Sequence, residues 1–167
     1  MLRELRCLSL REGFRVRQPT AMAAECPSNL TMTDTYTFSE PIDPGSILAG
    51  WTGAATNVVF RFVNGPQTDS FVVYNATNTA QLPLGSVDTG KKYVTQNITF
   101  GATGTPSTMV VSGSTITITL GTASGNTSTA NGNVNMKWTP SVLATDRAGN
   151  PTTLTNVTET GTGDLDF

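Results

Sequence analysis

Short stretches of alternating apolar and polar residues run along most of the chain, separated by Gly, Asn and Pro. A period of two is the mark of a strand with one buried face. Residues 35–38 place Tyr36 and Phe38 on one side. Residues 57–63 place Val58, Phe60 and Phe62 on one face and Arg61 on the other, and Asn64-Gly65-Pro66 follows as a turn. Residues 71–74 form another apolar run, and residues 94–100 offer Val94, Ile98 and Phe100 on one side. Residues 108–111 and 115–120 are joined by Ser112-Gly113-Ser114, a compact hairpin connection. In the second arm Ile116, Ile118 and Leu120 face in, while Thr115, Thr117 and Thr119 face out. Val134, Met136 and Trp138 share a face opposite Asn135 and Lys137, and Leu165 and Phe167 repeat the alternation at the chain end.

The pattern predicts an all-β fold of eight or nine short strands, a sandwich or a barrel. No segment of the body sustains a helical period. Pro41, Pro44, Pro106, Pro140 and Pro151 fall at strand ends or in loops, where a missing N–H does no harm. The expected core is Tyr36, Phe38, Val58, Phe60, Phe62, Phe71, Val73, Ile98, Phe100, Ile116, Ile118, Leu120, Met136 and Trp138. Each large side chain contributes about 1.5–3 kcal/mol on burial, most of it offset by lost conformational entropy.

Composition sharpens this picture. Only 13% of the 167 residues are charged and the formal net charge is −2, whereas Thr occurs 30 times and Ser 12 times, so hydroxyls supply most of the solvated face. A hydrophobic share of 37%, much of it β-branched or aromatic and regularly spaced, argues for folding over disorder. There is no basic surplus of the kind nucleic-acid binding needs. No apolar run approaches the roughly 18 residues of a membrane helix. Residues 1–28 stand apart as an Arg-rich segment holding Arg3, Arg6, Arg11, Arg15, Arg17 and both cysteines, Cys7 and Cys26. Its apolar stretches are broken by Arg and Glu, so it lacks the core of a secretory signal. It is read as a disordered or non-native start, or the remnant of a longer protein, with the domain itself at residues 29–167.

Candidate chemistry is sparse. The chain has no His, which removes Ser-His-Asp and Cys-His catalysis and the usual zinc and copper sites. Asp88-Thr89-Gly90 spells an aspartic-protease triplet, but a working site needs two such carboxylates sharing a proton, and a turn between strands accounts for the triplet. A lysine–asparagine amide cross-link needs an inward lysine, and Lys137, the lysine within a clear strand, has the parity that faces solvent. Five Asn-x-Ser/Thr sequons, at Asn29, Asn75, Asn97, Asn126 and Asn156, follow from the Ser and Thr content.

Two motifs bracket the body: Phe38-Ser39-Glu40-Pro41-Ile42-Asp43-Pro44 near its start and Ala144-Thr145-Asp146-Arg147-Ala148-Gly149-Asn150-Pro151 near its end. The pair resembles the opening and closing segments of bacterial immunoglobulin-like domains of S-layer and other secreted or surface proteins. The resemblance covers residues 29–167, with an additional loop around residues 122–133. It implies an immunoglobulin-like sandwich with no catalytic residues, acting as a structural spacer of an extracellular or cell-surface protein and flanked by neighbouring domains of a longer parent. The alternative is an adhesive or carbohydrate-binding module meeting a cell-surface glycan or protein. Read physically, Pro41 and Pro44 stop a strand and Asp146, Gly149 and Asn150 suit a turn. Asp43, Asp146 and Asn150 are candidate calcium ligands if the two motifs converge. Trp51, Tyr74 and Tyr93 are candidate sugar-stacking aromatics, with Trp51 the more suited to the core.

Overall fold

The computed structural model describes residues 6–8, 31–128 and 133–159. Its ten strands are β1 (Arg6–Leu8), β2 (Thr31–Thr37), β3 (Thr56–Val63), β4 (Ser70–Asn75), β5 (Ser86–Asp88), β6 (Ile98–Phe100), β7 (Ser107–Ser112), β8 (Thr115–Thr119), β9 (Lys137–Thr139) and β10 (Val157–Thr158). A single helical turn, α1 (Pro44–Ile47), follows β2. Every strand pairing is antiparallel, and the expected all-β class is what the chain adopts.

Nine of these strands join in one continuous path, β1-β2-β8-β7-β3-β4-β5-β9-β10, with β6 beside β3, and not in two separately hydrogen-bonded sheets. Two features keep the path unbroken. One edge of β3 is shared, its first residues pairing with β7 and its later ones with β6, and short β5 connects β4 to β9. The path curls into a half-barrel, so strands far apart in the sheet face each other across the core. Tyr36 of β2 meets Trp138 of β9 edge to face, ring centroids 5.4 Å apart, and Phe38 packs on the same indole at 5.4 Å. Deeper in, Phe60, Phe62, Phe71, Phe100 and Tyr93 form an aromatic cluster with centroid separations of 4.5–6.4 Å.

The expected core residues are buried as read, except Leu120, which is partly buried against the cluster. The outer face is as hydroxyl-rich as the composition requires. Register places Thr33, Thr119 and Thr108 in one cross-strand row, and Thr37, Thr115 and Ser112 in another. The strand expected at residues 94–100 shortens to β6, because the amides of Tyr93 and Val94 turn away to bind the Asp69 carboxylate. The strand expected from Val134 to Trp138 becomes β9 at Lys137–Thr139, with Lys137 exposed as its parity indicates. Leu165 and Phe167 lie outside the described residues. Of the N-terminal segment, Arg6–Leu8 is described, its backbone paired with β2.

Candidate functional site

The two bracketing motifs are separated by about a hundred residues yet hydrogen-bonded to each other. β2 ends at Thr37, Pro41 and Pro44 keep the chain beyond it from resuming the strand, and Ile42 forms an antiparallel bridge with Asp146. The Asp43 amide donates to the Thr145 carbonyl at 2.8 Å. Asp43 then caps α1: its carboxylate accepts from the Gly45 amide at 3.0 Å, with Pro44 opening the turn. Ser46 completes the clasp. Its hydroxyl donates to the Asp43 carbonyl at 2.7 Å and accepts from the Thr145 amide at 3.0 Å.

The second motif is a closed loop built around Asp146. One carboxylate oxygen accepts from the amides of Ala148 at 2.8 Å and Asn150 at 2.9 Å, and the other from the Asn150 side-chain amide at 2.8 Å. The Asn150 side chain first, then its backbone, and more weakly Ala148 and Gly149, hold the Asp146 carboxyl below its ordinary pKa of 3.8. Gly149, at φ 86°, takes the left-handed conformation that the turn requires.

Where the motifs meet they frame a cleft of about 250 Å³. Phe38, Ile42 and Trp138 form its apolar part, with Glu40, Asp146 and Asn150 among its polar lining. Asp43 and Asp146 therefore come into adjoining segments, as the calcium reading needed. Both carboxylates, however, already accept hydrogen bonds from their own turns, and among the described residues no group of three or more His, Cys, Asp or Glu gathers to hold a metal ion.

The three aromatics chosen for sugar stacking do not share an exposed face. Trp51 is 8% exposed and its indole N–H donates to the Ala54 carbonyl at 2.6 Å; Tyr93 is fully buried against Phe62. Both rings belong to the core because the loops carrying them fold inward between strands. Tyr74 stays half-buried on the outer face of β4, where the Arg61 guanidinium covers its ring at 3.6 Å from the centroid. Asn78, itself at φ 60°, fixes that guanidinium with two oxygens at 2.6 Å.

Asp88-Thr89-Gly90 is turn chemistry. The Asp88 carboxylate accepts from the Gly90 amide at 2.8 Å, and the buried Thr89 hydroxyl lies 2.8 Å from the carbonyls of Asp69 and Lys91. The group that sequence reading missed is its neighbour Asp69, a fully buried carboxylate. It accepts from the amides of Tyr93 (2.6 Å), Val94 (2.8 Å) and Gly65 (3.2 Å), and pairs with the Lys92 ammonium at 3.0 Å. Burial alone raises its pKa, but the Val94 and Tyr93 amides, then Lys92 and Gly65, outweigh burial and leave it below 3.8. Nothing in the polar run around Asp69 signals this role, because its partners other than Gly65 come from a loop more than twenty residues away.

Comparison with protein-family models, with curated proteins and with solved structures found no match.

Proposed function

We propose that the chain is a non-catalytic, immunoglobulin-like spacer module, working between neighbouring domains of a bacterial extracellular or cell-surface protein. The observation that carries this reading is the clasp between the motifs, in which the Ile42–Asp146 bridge and the Asp43-to-Thr145 hydrogen bond tie the opening of the body to its close. A module under tension benefits from such a clasp because the segments that follow β2 and β9 cannot be pulled apart without breaking it. Single-molecule stretching of the chain between marker domains tests it. The reading expects one cooperative rupture per molecule; gradual extension without a force peak would contradict it.

The second reading, an adhesive or carbohydrate-binding module, draws on the cleft at the same junction, where an apolar floor meets Glu40, Asp146 and Asn150. A glycan array separates the two: specific retention weakened by Glu40→Gln favours adhesion, and an empty array favours the spacer.

A further inference from the structure

We propose that the face around the junction cleft is a two-fold interface through which two copies of this chain pair. Five large apolar side chains are exposed among the described residues. Three of them, Val142 (44%), Leu143 (71%) and Leu154 (65%), fall on the single segment that follows β9. That segment doubles back on itself: Thr145 bridges to Pro151, and the Thr152 amide donates to the Ala144 carbonyl at 3.0 Å. The three side chains therefore stand on an ordered support. Thr152 and Thr153 of the same segment line the cleft, so protruding apolar groups lie beside an apolar recess over Trp138. Contiguous exposed apolar surface marks a place where a chain meets a partner.

The charges on this face point to a second copy as that partner. Glu40 lines the cleft, and Arg147 directly follows Asp146 of its lining. Both side chains are exposed, and among the described residues neither enters an ion pair. The Ile42–Asp146 bridge keeps this anion and this cation on one small area. A surface that carries protrusion and recess, and opposite charges, side by side becomes complementary to itself after a two-fold rotation. In the pair, the leucines of one copy meet the cleft of the other, and Arg147 of each meets Glu40 of the other at the rim. A wholly acidic or wholly basic partner would satisfy only one of the two charges. The apolar contact supplies the affinity, and the rim charges fix the register.

Pairing fills the cleft, so it competes with the glycan reading and leaves the spacer reading untouched. Sedimentation equilibrium of the full chain, over a concentration series reaching the high micromolar range, tests it without any added ligand. We expect a monomer–dimer equilibrium in which the dimer has twice the chain mass. Leu143→Asp and Leu154→Asp each put a charge into the contact, and each should give monomer at concentrations where the parent chain is dimeric. Far-ultraviolet circular dichroism should stay unchanged in both, because both side chains are exposed. Arg147→Glu should also give monomer, and adding Glu40→Arg to it should restore the dimer. Val110→Asp, at an exposed position of β7 away from the junction, should leave the dimer intact. The proposal is overturned by a chain that stays monomeric throughout, by a dimer indifferent to Leu143→Asp, by a folded charge swap that does not pair, or by an open-ended series of larger species.

Discussion

Protonating Asp69 would take a charged acceptor away from three backbone amides and an ammonium at once. Replacing it with Ala strands the buried Tyr93 and Val94 amides, at about 1–3 kcal/mol for each donor left without a partner. Chemical denaturation of Asp69→Ala should show that loss as a lower midpoint with an unchanged slope. The same carboxylate gives stability a pH dependence. Its pKa in the folded chain lies below the unfolded value of 3.8, so the unfolded chain binds the proton more readily. Stability is therefore full above the unfolded pKa and is lost as pH falls below about 4 through the folded pKa. Asp146 acts in the same direction. Asp69→Asn should flatten the acid limb of a stability–pH curve. Gly85 is a second sensitive position: its φ is 82°, and a Cβ there would come within 2.0 Å of the Thr139 carbonyl oxygen. Gly85→Ala should therefore destabilise the chain by more than about 1 kcal/mol, read by the same denaturation.

At the scale of the elements, Trp138 decides whether the sheet closes on itself. Its indole packs edge-on against Tyr36 and Phe38, while its N–H donates to the Leu84 carbonyl at 2.6 Å. Trp138→Ala removes those contacts and leaves the carbonyl unpaired, at a cost of about 3–5 kcal/mol. Thermal melts of that variant should show the loss directly, together with a weakened near-ultraviolet dichroism from the aromatic cluster. The strands around Trp138 were legible to different degrees. β3, β4, β7 and β8 are five residues or longer and appear close to where the sequence pattern puts them, although buried Val59 interrupts the alternation of β3. β5 and β10 are three and two residues long, too short for any alternation, and exist because they pair with β9. Alternation fixes which face a side chain occupies and not which strand lies beside it, so the joining of all strands into one curled path was not legible. The same limit explains Trp51 and Tyr93: each lies in a loop, where periodicity is silent about direction. Asp146 and Asn150 could be read as turn residues from their chemistry alone, whereas the Asp69 cluster depends on loop-to-loop packing that no local pattern encodes.

Across the whole molecule, the clasp ties the segment after β2 to the segment after β9, strands that stand next to the two ends of the half-barrel's sheet. The half-barrel owes its rigidity to backbone hydrogen bonds, turns and apolar packing, and the carboxylates at the junction serve their own loops. Because the Asp43 and Asp146 carboxylates already accept hydrogen bonds from their own turns, thermal unfolding with millimolar calcium and again with EDTA should give the same melting temperature, which only a ligand bound to the native state would raise. An upward shift with calcium would instead place a cation among Asp43, Asp146 and Asn150. The most direct test of the clasp is native-state amide hydrogen exchange on the full chain, comparing the amides of Asp43 and Thr145, which bond across the junction, with those of Phe60 and Phe62 in β3. If the clasp belongs to the cooperative core, both sets exchange only through global opening and report the same free energy. Junction amides that exchange orders of magnitude faster than β3 would mean that the motifs open on their own, contradicting the account of a module closed by the clasp.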